Sequence, residues 1–213
     1  MAKANMPRIS REVRAILDRE LSSHALAHVR HNLMAQGGSD RSEHAVSKYR
    51  VLENVPTYTL AVAQAARSGL KDPERSGTVL LIQWPNNLLG KVEIHENHGH
   101  PTLTRVSTGT LASDLENLLV RLRGGLMRAA RKSAPEIRIL GVPAIHLLCL
   151  WKHWSKGAGK DSFTPVMLNF IGLHKGRVYS QSHVNAVVQR SAVDLIVKWY
   201  DRQQDISKPV PVR

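Results

Sequence analysis

The sequence predicts an α+β fold: an antiparallel β-meander of three to four strands, with an N-terminal helix before it and a mostly helical C-terminal half after it. Three observations predict this. The strand-like segments lie together between Tyr49 and Val106 instead of alternating with helices. A serine-capped amphipathic segment precedes them. Apolar stripes of helical period follow them.

The first helix is expected from Ser10 to Gln36. Ser10 is a favourable N-cap residue, Glu12 suits the first turn, and Gly37-Gly38 stops the helix. Val13, Ile16, Leu17 and Leu21 recur at helical spacing, so its first half is amphipathic. "GGSDRS" is a loop. "YRVLEN" and "TYTLAVAQ" read as strands on either side of Pro56, although "LAVAQAAR" also fits a helix. "SGLKDPERSG" is a loop of turn residues, "TVLLIQW" a strand and "PNNLLG" a turn. "KVEIHE" and "PTLTRV" then alternate with period two, which closes the meander.

"TLASDLENLLVRLRGGLMRAARK" is the clearest helix. Leu111, Leu115, Leu118, Leu119, Leu122, Leu126 and Ala129 form one stripe, and Ser113 with Glu116 fits a capping box. Gly124-Gly125 predicts a kink or a break there. "VPAIHLLCLWKHW" is apolar nearly all round and reads as a buried helix. "FTPVMLNF" is a strand. The last helix begins near Ser182 and gathers Val184, Val187, Val188, Ser191, Leu195, Ile196 and Trp199 on one side. The expected organisation is one domain over residues 1–203, with an alternative boundary at Ala134-Pro135, and a loose tail over 204–213.

Composition narrows the function classes. The 213 residues are 42% hydrophobic and 22% charged, which is globular. No apolar run approaches the roughly 20 residues that span a bilayer. The segment "MAKANMPRISREVR" lacks the apolar core of a secretory signal. Cys149 is the one cysteine, which excludes an internal disulfide and points to a reducing compartment, the cytoplasm. With 30 Lys+Arg against 17 Asp+Glu, the net charge is +13, a balance that attracts nucleic acid or an acidic protein surface.

Two groups of histidines invite a metal reading, with zinc as the ion. In "HENHGH" a turn at His98-Gly99 makes Asn97 face His100, His95 face Thr102 and Ile94 face Leu103. His95, His100 and Glu93 then share the solvent face, and Val92 and Ile94 face a core. Two imidazoles and one carboxylate make a minimal zinc set, and a metal-binding protein or metal-dependent hydrolase follows if further ligands reach them. His24, His28 and His31 fall on one helix face and are the natural source of such ligands. "SKGAGKDS" fails as a phosphate-binding loop. Trp154 stands where the first glycine is needed, and Asp161 follows Lys160 where Ser or Thr is needed.

The sharper basic feature lies on the capped helix, where Arg121, Arg128 and Lys132 fall on the side away from the leucine stripe, with Arg131 nearby. No Ser/His/Asp or Cys/His arrangement accompanies it. The leading expectation is therefore a non-catalytic basic binding or adaptor protein. It would contact an anionic macromolecule through Arg121, Arg128, Arg131 and Lys132. The alternatives are the histidine-hairpin metal protein and a subunit whose basic surface is buried in an assembly.

Overall fold

The computed structural model describes residues 9–22, 49–84, 87–129, 135–155, 159–166 and 172–206. Four helices are described: α1 (Arg11–Ser22), α2 (Val62–Ser68), α3 (Thr110–Ala129) and α4 (Gln181–Ile206). The strands are β1 (Arg50–Thr59), β2 (Glu74–Gln83), β3 (Leu89–Asn97), β4 (His100–Thr108), β5 (Glu136–Val142), β6 (Leu147–His153), β7 (Ser162–Pro165) and β8 (Tyr179–Ser180). They form one sheet in the order β4-β3-β2-β1-β5-β6-β7-β8. It is a mixed sheet with one parallel pair. The expected meander of three to four strands is thus overturned. The fold is α+β, built on an eight-stranded sheet.

The error has a local cause. The run from Val142 to Trp154, expected as a buried helix, is the end of β5, a 3₁₀ turn at Pro143–Ile145, and β6. A strand buried on both faces loses its alternation and reads as a continuous apolar run, as a buried helix does. Val142, Leu147, Cys149, Leu150 and Trp151 are all buried. Pro143 was the available signal, since it leads the 3₁₀ turn, and His146 closes that turn in the left-handed region at φ 53°. A further correction concerns β1, one strand running through Pro56 where two were expected. Proline gives up one ladder donor inside it. β2 also begins earlier than expected, taking "ERSG" from the predicted loop.

The chain's contacts divide it into two compact units, Met1–Tyr58 with Arg75–Ile139 and Thr59–Glu74 with Leu140–Arg213. In the first, α1 is capped as expected, the Val13 amide donating to Ser10 Oγ at 3.1 Å. Its apolar side, Val13, Leu17 and Leu21, joins Leu80, Ile82, Trp84, Val92 and Ile94 in one core. Burying side chains of this size contributes about 1.5–3 kcal/mol each. The Tyr49 hydroxyl donates to Asp18 at 2.6 Å and adds a tie between α1 and the start of β1. Helix α3 packs on β3, and none of its leucines with described side chains belongs to the α1 core, which puts it on the opposite sheet face.

Helix α3 departs from its expected cap. The Ala112 and Ser113 amides donate to the Gly109 carbonyl at 3.1 and 3.4 Å, so the helix opens at Thr110. Ser113 lies inside it, and the capping-box reading is corrected. The helix also runs unbroken through Gly124-Gly125, because Leu115, Leu118 and Leu119 bury its apolar side and hold it in register.

In the second unit, α4 packs against α2, the 3₁₀ turn, β7 and β8. Val184, Val188 and Ala192 are fully buried along one stripe. The Asn185 side-chain oxygen accepts from the Leu70 amide at 2.7 Å, and the Gln189 amide donates to the Ala66 carbonyl at 3.3 Å, which pins α2 to α4. Helix α4 runs to Ile206, and residues 207–213 lie outside the described set.

Candidate interaction surface

The outward face of α3 follows from its inward one. Leu115, Leu118, Leu119 and Leu122 take the sheet side, so Asn117, Val120, Arg121 and Gly124 fall opposite at helical spacing, and all four are exposed. Val120 is 63% exposed. Of the four basic residues expected to bind an anion, Arg121 has a described side chain and stands on this face. Arg128 lies in α3, but its side chain is outside the described set, as are Arg131 and Lys132 entirely.

Arg123, a helical neighbour of that face, is engaged differently. Its guanidinium donates to Glu53 of β1 at 2.6 Å. Burial pushes the Glu53 carboxyl above its ordinary pKa, Arg123 works against that, and the charge of Glu116 adds to the rise. Arg123 therefore anchors α3 to the sheet. A partner would have to compete with Glu53 for its charge.

The hairpin has the register the sequence predicts. Asn97 pairs with His100, His95 with Thr102 and Ile94 with Leu103. His98 and Gly99 turn the chain with φ of 49° and 82°, the pair of positive values a tight hairpin needs. A register shift follows between Glu93 and Ile94, so Glu93 faces Arg105. His95 and His100 are exposed near the tip. The face they share is not open along its length, however. Lys91, two residues back on the same side, is 5% exposed and donates to Glu93 at 2.5 Å. An ion at Glu93 would have to displace that ammonium. His24, His28 and His31 lie outside the described residues. Among the described residues, no group of three His, Cys, Asp or Glu side chains is arranged to hold a metal ion.

The structure brings together a polar cluster that sequence reasoning missed. Asp161 Oδ2 accepts from Trp151 Nε1 at 2.8 Å and meets His153 Nδ1 at 2.9 Å, and Oδ1 accepts from the Trp154 amide at 2.9 Å. Burial works to raise the Asp161 pKa. The three hydrogen bonds and the charge of His153 outweigh it, and the carboxyl is held below its ordinary range. The Trp151 ring stacks on Phe163 of β7 and meets His153 edge-on. One carboxylate thus ties the end of β6 to the chain entering β7. The signal was the alternation Trp151, His153 followed by an aspartate, concealed by the helical reading of that run. Cys149 on the same strand is fully buried, and burial pushes its thiol up to about 12.

The far half of α4 is the second uncovered surface. The buried stripe Val184–Val188–Ala192 continues into Leu195 and Trp199, which are 37% and 55% exposed. Ile196 and Tyr200 flank them, and a groove of about 450 Å³ runs between these four residues and Val62 and Ala63 of α2. Val193 and Val197 are exposed on the same half. Sequence reasoning placed Leu195, Ile196 and Trp199 on the packing side, and helical phase agrees. The described part of the second unit simply offers little to cover them.

No protein-family model, curated protein or solved structure matches the chain. Among the described residues, no helix is long and apolar enough to cross a membrane.

Proposed function

We propose that this chain is a non-catalytic binding protein, an adaptor that contacts an acidic protein surface through the outward face of α3. One observation carries the reading: Arg121 stands exposed beside a bare Val120, while its neighbour Arg123 is held by Glu53. An exposed apolar residue beside an exposed arginine suits a protein partner better than a phosphate backbone. Protein interfaces surround apolar contacts with a polar rim, and phosphates reward only donors. The net charge of +13 supports the same reading, because it draws acidic partners in and speeds their encounter. A reducing, cytoplasmic setting suits a chain whose single thiol is buried and unpaired.

Binding of poly-L-glutamate and of duplex DNA, each over a range of salt concentrations, tests this. Arg121→Glu is expected to weaken polyglutamate binding about five- to ten-fold and to flatten its salt dependence. Val120→Asp should do the same without removing a positive charge. Unchanged affinity in both variants refutes the α3 face. Tighter Arg121-dependent binding of the DNA would make nucleic acid the partner instead.

A further inference from the structure

The Arg123–Glu53 pair borders the α3 surface, and we infer that it is a proton-linked latch: an acidic partner that engages Arg123 draws it off Glu53, and Glu53 then takes up a proton. The latch depends on the α3 reading above and regulates that same contact. At about 100° per residue, Arg123 falls about 60° to one side of Val120 and Arg121 about 100° to the other. The two arginines therefore flank the exposed valine. Arg123 Nη1 donates to Glu53 Oε1 at 2.6 Å, and Nη2 lies 2.5 Å from Oε2. The two ends of this pair differ in access. The Arg123 side chain is 50% exposed and that of Glu53 14%, so a partner reaches the guanidinium and not the carboxyl. Glu53 Oε2 is fully buried and receives no hydrogen bond among the described residues, so the charge of Arg123 is what balances it.

Drawing Arg123 away leaves a buried carboxylate without its counter-charge, and a proton removes that charge. Burial already pushes the Glu53 carboxyl above its ordinary pKa. Arg123 pulls it down, and Glu116, also on α3, pushes it up. Once Arg123 is engaged elsewhere, both remaining influences raise it. β1 itself also carries Arg50, and the flanking strands carry Glu74, Arg75, Glu136 and Arg138, none of which acts on Glu53. Between the two Glu53 pKa values the complex holds more protons than the free chain. Affinity therefore rises as pH falls through that window, by up to about ten-fold per pH unit.

Isothermal titration of the full chain with poly-L-glutamate, from about pH 5 to about pH 7.5 in two buffers of different ionisation enthalpy, reads affinity and proton uptake together. Wild type is expected to take up as much as about one proton per chain on binding and to bind more tightly as pH falls. Glu53→Gln should bind about three- to ten-fold more tightly at the upper end of the range and take up fewer protons. Glu12→Gln removes the same charge from the exposed side of α1 and should stay within about two-fold of wild type. Arg123→Ala should lose the same proton uptake and keep its Arg121-dependent binding. Its side chain is half exposed, so this variant keeps the fold and repeats the test should Glu53→Gln not fold, which circular dichroism checks. Titration of the polymer and of the histidines is common to all these chains and cancels in the differences. Proton uptake equal to wild type in Glu53→Gln or Arg123→Ala overturns the latch, as does a gain from Glu53→Gln no larger than that from Glu12→Gln. If Arg121→Glu weakens binding in the same series, the latch alone has failed. If Arg121→Glu leaves affinity unchanged, the α3 surface itself is refuted, and the latch with it.

Discussion

Replacing Asp161 by Asn removes one charge and leaves the shape of the side chain nearly unchanged. The carboxylate meets three partners, the Trp154 amide on Oδ1 and Trp151 Nε1 and His153 Nδ1 on Oδ2. An asparagine can aim its oxygen at Trp151 and His153, but its amide then confronts the Trp154 N–H, donor against donor. Turned the other way, its amide confronts the Trp151 N–H, and it meets His153 only where Nδ1 carries no proton. At least one bond to a charged acceptor is lost, a change of about 1.5–3 kcal/mol. For a chain of this length that corresponds to a fall in Tm of about 3–12 °C.

The same bond predicts a pH dependence. The folded-state pKa of Asp161 lies below the unfolded value, so its stabilisation is present above about pH 4 and is lost as pH falls through the folded value. The difference between wild type and Asp161→Asn should therefore be full at neutral pH and shrink in acid. Urea unfolding followed by tryptophan fluorescence at a series of pH values measures both quantities, because Trp151 and Trp154 report on the cluster itself. A difference under about 0.5 kcal/mol at pH 7, or one that persists undiminished near pH 3, would refute the assignment of Asp161 as an ionised three-bond anchor.

Two further outcomes are expected. At Gly77 the backbone has φ of 152°, and a Cβ would lie 2.0 Å from the Ile94 carbonyl oxygen of the neighbouring strand. Gly77→Ala should cost about 2 kcal/mol or more by forcing β2 away from β3, measured as a lower denaturation midpoint. Cys149, with its thiol pushed up to about 12 by burial, should react with a disulfide reagent at pH 8 only as fast as the chain unfolds. Labelling of the native protein within about a minute would contradict a buried thiol.

Some features were legible in the sequence because short-range rules decide them. Ser10 caps α1 through a bond within three residues. The turn at His98-Gly99 and the pairing of Ile94 with Leu103 follow from hairpin geometry and the period of the side chains. The leucines of α3 and the valines of α4 obey helical phase. Other features were hidden because they depend on what lies across space. Lys91 is a lysine at a position alternation assigns to solvent, and it is buried because α3 packs on β3. The Asp161 cluster required β6 to be a strand, with its side chains alternating, before Trp151 and His153 could meet the same carboxylate.

Sequence by itself determined the amphipathic helices, the hairpin with its register, the strong positive charge and the single thiol. Each rests on local periodicity or on composition, and neither needs a partner element to be known. Only the tertiary structure decided that Val142 to Trp154 is strand, that the sheet has eight strands, and which charged residues are already engaged. An apolar run satisfies its backbone equally well as a buried helix or a central strand. Neighbouring strands make the choice, by supplying the hydrogen bonds that a central strand needs and a helix supplies for itself.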